Sequence, residues 1–391
     1  MKIIIQRGTH QIGGCVTEIS TDNSKVFIDF GSDLPNSLNA DFPKMIKGLT
    51  VDDNTERALF LTHYHGDHVG RLNEIKTDIP IYMGKTAKEL FKNYAVRIKI
   101  DIAKKIDEIH TFSPLEKITV GDITVTPLMI DHSAFDAYMF IVEAQGKRVL
   151  HTGDFRMHGF RGSKTLPMLK KYAENIDCII CETTNLSRED VKLITERELQ
   201  NEARQILKEN KYVFVFCSST NIDRIGAFYH ANPKGKLFIC DEYQKKQLET
   251  VRKNHKQKSS FYDFGHILSY GTNIDDVMKK RGFCMIVKQG KMCERLLKKY
   301  NGRSKVIYSM WSGYLKGKSK NDELVNFLKD YELTFLHSSG HASVSDLVKL
   351  YNTVNPKTGL IPIHGETPEK FSQFLPKDKL LLLNDGEELL I

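Results

Sequence analysis

The segment Leu61-Thr62-His63-Tyr64-His65-Gly66-Asp67-His68 constrains this chain more than any other. It sets three imidazoles and a carboxylate close together, directly behind the apolar run Ala58-Leu59-Phe60-Leu61. Side chains alternate along an extended segment, which predicts His63, His65 and Asp67 on one side. His68 follows where the chain turns into Val69 to Ile75. Imidazole nitrogen and carboxylate oxygen are donors that zinc prefers. Four donors here, with further liganding groups elsewhere, exceed what one ion uses, so the spacing points to two adjacent ions. The bland alternative is a histidine-rich surface loop.

The segment is an HxHxDH motif, and on it the chain resembles the metallo-β-lactamase superfamily of hydrolases. The resemblance implies three further ligands, each behind an apolar run. His132 fits in Leu128-Met129-Ile130-Asp131-His132, Asp154 in Val149-Leu150-His151-Thr152-Gly153-Asp154, and His364 in Leu360-Ile361-Pro362-Ile363-His364. It further implies that His63, His65 and His132 hold one ion, that Asp67, His68 and His364 hold the other, and that Asp154 bridges them. Two such ions share a hydroxide and clamp a phosphoryl oxygen during in-line displacement. Each ligating histidine is expected to donate its other ring nitrogen to a carboxylate or carbonyl, with Asp131 one nearby candidate. Five histidines and two carboxylates favour zinc, with manganese the alternative ion.

Between Asp154 and His364 lie 209 residues (364 − 154 − 1), too many for a loop. Three motifs sit in or beside that interval: Ile179-Ile180-Cys181-Glu182, Cys217-Ser218-Ser219-Thr220-Asn221-Ile222-Asp223-Arg224 and His337-Ser338-Ser339-Gly340-His341-Ala342. With His364 they resemble the β-CASP branch, the nucleic-acid-processing group of the superfamily, and within it the ribonuclease J side. In that group's terms Glu182 matches motif A, His341 motif B and His364 motif C. The implied fold is an αββα sandwich with an inserted α/β domain, its parallel sheet flanked by helices. The expected bounds are 1–186 and 332–391 for the sandwich and 187–331 for the insertion, with the active site in the cleft between them. Two departures stand out. With 27 residues after His364 (391 − 364), the C-terminal domain of ribonuclease J is expected to be absent, and Ser309-Met310-Trp311-Ser312-Gly313-Tyr314 stands where a glycine-rich segment is expected. Both put processive 5′→3′ exonuclease action and the family's oligomer in question; neither touches the metal site.

Chemistry can be argued for the paired carboxylate and imidazole directly. A departing sugar oxygen needs a proton, which His341 can donate while Glu182 orients the ring. Asp67, Glu182 and His341 are therefore the expected catalytic side chains, Asp67 also being a ligand. Bland readings stand beside these: a capping carboxylate for Glu182, a buried hydrogen-bonded histidine for His341. Hydroxyls before a helix start suit phosphate, which makes His337, Ser338 and Ser339 candidate substrate contacts, although Ser343 can simply cap the helix from Val344. Asn221 and Arg224 either meet phosphate or fix a turn. Trp311, the single tryptophan, sits with Tyr300, Tyr308 and Tyr314 in the basic stretch Lys298 to Lys320. Aromatic rings among basic residues suit a single strand; a charge run is otherwise a solvated helix face.

The net charge of +8 (57 − 49) favours an anionic partner. No apolar run approaches the ~20 residues of a membrane helix, and the start Met1-Lys2-Ile3-Ile4-Ile5-Gln6 reads as a strand. Seven irregularly spaced cysteines give no disulfide framework. Cys178 and Cys181 read as buried thiols, and a reducing, cytoplasmic setting follows. Helical periodicity runs over Thr86 to His110, and Ser187 is placed to cap a helix over Arg188 to Asn210. The expected activity is hydrolysis of phosphodiester bonds in single-stranded RNA, endonucleolytic or from the 5′ end. A DNA nuclease of the same branch, a small-molecule phosphodiesterase and a non-enzymatic nucleic-acid-binding module are the alternatives. Oligomeric state is not legible.

Overall fold

The computed structural model describes residues 1–34, 43, 45–188, 193–271, 273–317 and 319–391. The chain divides into two compact units, Met1–Lys192 with Gly340–Ile391, and Leu193–Ser339.

The first unit is a sandwich of two sheets. One has seven strands in the order Glu388–Leu390, Lys2–Arg7, Val16–Ser20, Ser24–Ile28, Glu56–Phe60, Ile81–Gly84, His110–Phe112. The other has six: Gly359–Ile363, Cys178–Glu182, Lys147–His151, Ala137–Ala144, Ile123–Ile130, Ile118–Val120. Alternating apolar residues of the two inner faces, among them Ile3, Ile5, Val26 and Phe60 against Val125, Phe140, Val149 and Ile180, form one continuous core. The opposite face of the six-stranded sheet packs Met139, Ile141, Leu150 and Ile179 against helices Thr165–Tyr172 and Val344–Val354. This is the αββα arrangement that the sequence led us to expect.

The expected long helix from Thr86 ends early. Helix Lys85–Ile98 stops at Lys99, whose φ of 57° is left-handed, and after Ile100–Ile102 a short helix Ala103–Glu108 leads into strand His110–Phe112. The first helix is uncapped by its own residues. Asp136 instead accepts the N–H groups of Thr86 and Ala87 at 2.8 and 3.0 Å.

The second unit carries a six-stranded sheet in the order Ile267–Ser269, Leu237–Cys240, Phe283–Val287, Tyr212–Phe216, Ser304–Tyr308, Leu333–Phe335, every pair parallel. Phe214, Phe216, Met285 and Tyr308 face the helices Lys291–Lys299 and Asp322–Leu328. Val213 and Val215 point the other way and are also buried, so both faces are covered. Strand Leu333–Phe335 pairs with Ser304–Tyr308, so the division falls after Ser339, beyond the expected 331. Helix Glu196–Glu209 starts at a capping box, Thr195 with Glu198, rather than at Ser187, which closes the 3₁₀ turn Thr184–Ser187. Residues 189–192 of the expected helix lie outside the described residues.

Candidate metal centre

The centre is built within the first unit, at one end of its strands. Strand Glu56–Phe60 runs out through Leu61 to His65, and the helical turn Gly66–Val69 follows. The predicted alternation therefore stops at Gly66. His63 and His65 share a group with His132, whereas Asp67, carried on the turn, joins His68, Asp154 and His364. Three backbone donors fix the turn. Phe30 N–H reaches His68 O at 2.8 Å, Ser32 N–H reaches Gly66 O at 3.0 Å and Cys15 N–H reaches Asp67 O at 3.2 Å. Gly31 lets that approach happen: a Cβ there would lie 1.6 Å from the Asp67 carbonyl oxygen. Two later ligands sit on strained or permissive backbone, Asp154 after Gly153 at φ 52° and His364 itself at φ 54°. His364 is held by its N–H to Gly8 O at 2.8 Å.

The donor atoms converge. His65 Nδ1 lies 3.3 Å from His132 Nε2, and His68 Nε2 lies 3.1 Å from Asp154 Oδ2. His364 Nε2 lies 3.2 Å from Asp67 Oδ2. Asp154 Oδ2 is also 3.9 Å from both His63 Nε2 and His132 Nε2, which places this carboxylate between the two groups. Tetrahedral zinc with bonds of about 2.0–2.1 Å sets its ligands about 3.4 Å apart, and these separations bracket that value. Among the described residues, His63 Nε2 and Asp154 Oδ1 are buried without any hydrogen-bond partner. Buried polar atoms are rarely left so, and a cation at each group satisfies both. The seven donors fit a pair of zinc ions.

Supporting partners set the rings. Asp29, also left-handed at φ 63°, accepts His68 Nδ1 at 2.8 Å. It accepts the N–H and the hydroxyl of Thr62 as well, each at 2.8 Å. Thr62 Oγ1 lies 3.0 Å from His63 Nδ1, Gly340 O 2.8 Å from His132 Nδ1 and Thr184 Oγ1 2.7 Å from His364 Nδ1. Asp131, the partner suggested by sequence, instead binds Arg156 Nε at 2.7 Å and the N–H of Arg161 at 2.6 Å. Asp29 and Thr184 were missed. The only signal was an acidic residue between an apolar strand and Phe30-Gly31, which says nothing of the ring it will meet.

Burial, helped by the neighbouring imidazoles, holds His63 well below the usual histidine range. Burial pulls His132 well down too, against the pull of Asp154, and His65 down to about 4 despite Asp67. For His68 burial acts downward, but Asp154, Asp29 and Asp67 outweigh it and the net is well upward. His364 is raised in the same way, burial being overcome by Asp154 and the ring's hydrogen bond to Asp67. Burial would raise Asp154, yet His364, His68 and His341 hold it well below the carboxylate range.

Beside the donors stands the pair expected from motifs A and B. His341 Nδ1 lies 3.3 Å from Glu182 Oε2 and 3.7 Å from Asp154 Oδ2. Glu182 is buried and accepts three backbone amides: Phe155 and Ala342 on Oε1 at 3.3 and 3.2 Å, Thr184 on Oε2 at 3.2 Å. One carboxylate thus ties the Asp154 loop to the His341 loop. Asn185 Nδ2 fixes the latter from below, on His341 O at 3.1 Å and Ala342 O at 2.8 Å. Ser343 caps Val344–Val354 through Asp346 N–H at 3.0 Å.

The expected substrate contacts all fall in the second unit. Arg224 is fully buried. It grips Glu196 at 2.6 Å, with Ser309 Oγ at 2.9 Å and Ser338 O at 2.9 Å. Asn221 caps its helix on Arg224 N–H at 3.1 Å. Both therefore fix the chain, and the phosphate reading of Arg224 is corrected by its burial and its ion pair. His337 Nδ1 lies 3.3 Å from Arg224, Ser338 donates to Ile194 O at 2.5 Å and Ser339 is buried. Trp311 is half-buried, its ring edge-on to Tyr314 at 5.5 Å. All seven cysteines are buried and free. No helix of the described residues is long and apolar enough to cross a membrane.

With fold and donors in place, the chain belongs to the metallo-β-lactamase superfamily, as a ribonuclease J-like member: the β-lactamase superfamily domain model matches residues 40–248, more than half of its length. A second model, the Zn-dependent metallo-hydrolase RNA specificity domain, matches residues 332–373. The ribonuclease J of Mycoplasma pneumoniae is 26% identical over 93% of this chain and 68% of its own length; that of Mycoplasma genitalium is 25% identical with the same coverage. For the ribonuclease J of Sinorhizobium meliloti the figures are 23%, 79% and 58%. A crystal structure of a protein of unknown function from Enterococcus faecalis matches the whole chain and 99% of its own, with a TM-score of 0.79 and 20% identity. That likeness bears on the fold.

Proposed function

We propose that this protein is a metal-dependent ribonuclease, holding two zinc ions and hydrolysing phosphodiester bonds of single-stranded RNA. The observation that carries this is the pair of donor groups joined at Asp154, with Glu182 and His341 beside them and outside both. Bound ions supply a nucleophile at neutral pH and positive charge for the phosphoryl oxygens. The chain's residues do the rest. Asp154 keeps the two groups in register. Asp67, held charged by His68 and His364, contributes a ligand and a neighbouring acceptor for a water proton. His341 is the donor for the departing sugar oxygen, and Glu182 sets its ring while anchoring both loops. The RNA preference is supported by the names of the relatives and of the 332–373 domain, and the net positive charge suits a polyanion.

The test is zinc-loaded protein with 5′-labelled single-stranded RNA and matched DNA, alongside Asp154→Ala. RNA loss that depends on Asp154 is expected, and the product ladder separates end-release from internal cuts. Turnover undiminished in Asp154→Ala would overturn the two-ion reading; cleavage of DNA alone would overturn the substrate.

A further inference from the structure

Cys15 has no part in the mechanism above, yet it stands at the metal centre. Its Sγ and one ligating nitrogen each of His68 and His364 lie within 4.8 Å of one another. The sulfur is buried, and the backbone pins it there. Cys15 N–H donates to Asp67 O at 3.2 Å, and Cys15 O accepts Gly31 N–H at 3.1 Å. A Cβ added at Gly8 would lie 3.5 Å from the sulfur, and the Gly8 carbonyl is the one that holds His364. The Cys15 thiol and His364 are thus tied to the Gly8–Cys15 segment, while His68 is held by Phe30 N–H on its carbonyl and by Asp29 on its ring. A tetrahedral ion with a sulfur bond of about 2.3 Å and nitrogen bonds of about 2.0–2.1 Å spaces sulfur and nitrogen about 3.6 Å apart, within this range.

We propose that Cys15, His68 and His364 form a further coordination locus, selective for soft divalent cations such as cadmium. An ion there takes His68 and His364 from the Asp67–Asp154 subsite. Thiolate favours soft ions, while manganese and magnesium favour oxygen donors and gain nothing from the sulfur. On coordination the S–H bond breaks, the proton leaves to solvent and a sulfur–metal bond forms; no electron is transferred. The inference rests on the histidine and cysteine placement, not on the RNA reading.

Metal-free full-length protein is titrated with cadmium alone, following the ultraviolet charge-transfer absorption of a cadmium thiolate. Cadmium binding is measured in parallel by calorimetry. Wild type should show the band. Cys15→Ser, its fold checked by circular dichroism, should lose it although six other cysteines remain. His364→Ala should keep the thiol but bind cadmium through it at least tenfold more weakly. Cadmium-loaded wild type should then accept fewer zinc equivalents than metal-free protein. An undiminished band in Cys15→Ser, or cadmium bound by wild type with no band, would overturn the locus. If Cys15→Ser does not fold, an unchanged band and affinity in His364→Ala does so instead. A protein that shows the band but cuts no RNA keeps this inference and sinks only the ribonuclease reading.

Discussion

The carboxylate of Asp29 collects three hydrogen bonds, from the N–H and hydroxyl of Thr62 and from the His68 ring. Through them it fixes one ligand directly and His63 at one remove. Partners of this kind typically contribute 10–100-fold in metal affinity. Asp29→Asn should therefore lower zinc affinity by about that factor, read as zinc retained after dialysis against a competing chelator. Full retention would show that His68 needs no such partner. The seven candidate donors were legible in sequence because they follow apolar runs in a fixed order, and the structure brings them into groups that could hold a metal ion. Asp29 and Thr184 were not, because which ring a carboxylate or hydroxyl meets is decided by how separate strands approach. The same scale governs pH. His63, His65 and His132 are neutral well below the ordinary histidine range, His65 to about 4, so protons compete weakly for their ion. His68 and His364 are raised and must shed protons to bind. As pH falls towards and through the ordinary histidine value of about 6.5, the Asp67–His68–His364 group should release its ion first, and the three-histidine group should hold on towards pH 4. Metal analysis after equilibrium dialysis across that range checks this; simultaneous loss of both equivalents would contradict it.

Elements were predicted well where packing enforces them and poorly at their ends. The start Met1 to Gln6, read as a strand, forms strand Lys2–Arg7. The helix expected from Arg188 is seen from Glu196, where Thr195 with Glu198 makes a reciprocal cap, while Ser187 belongs to the 3₁₀ turn Thr184–Ser187. The turn Gly66–Val69 broke the predicted extended alternation for a tertiary reason, the close seating of Gly31 against Asp67. Gly31→Ala puts a methyl carbon into the Asp67 carbonyl. The expected result is a shifted turn, loss of the ion held by Asp67 and His68, and activity reduced at least tenfold, with the three-histidine group still loaded. One zinc equivalent per chain instead of two is the diagnostic; two equivalents with wild-type turnover would show that the turn can move without harm.

At the scale of the whole molecule, the long interval between Asp154 and His364 and the family resemblance made an α/β insertion legible, while its closing strand Leu333–Phe335, three residues long, falls beyond the expected bound of 331. Arg224 shows why role is harder to read than position. A guanidinium in a nucleic-acid enzyme invites a phosphate, but this one is sealed within the second unit against Glu196, where it joins helices Glu196–Glu209 and Ile222–Ala231 to the segment carrying Ser309 and Ser338. Removing one partner of a buried pair leaves an uncompensated charge and costs about 3–5 kcal/mol. Arg224→Met should therefore lower stability by that order in urea unfolding, and Arg224→Met with Glu196→Leu should recover much of it. The salt dependence separates this from a phosphate contact. Loss of a phosphate-binding cation reduces the slope of log affinity against log salt by about 0.7 for a single strand, whereas a packing role leaves the slope unchanged. Binding of a short RNA to the folded fraction of Arg224→Met, measured over several salt concentrations, should give the wild-type slope; a shallower line with wild-type stability would return Arg224 to the substrate.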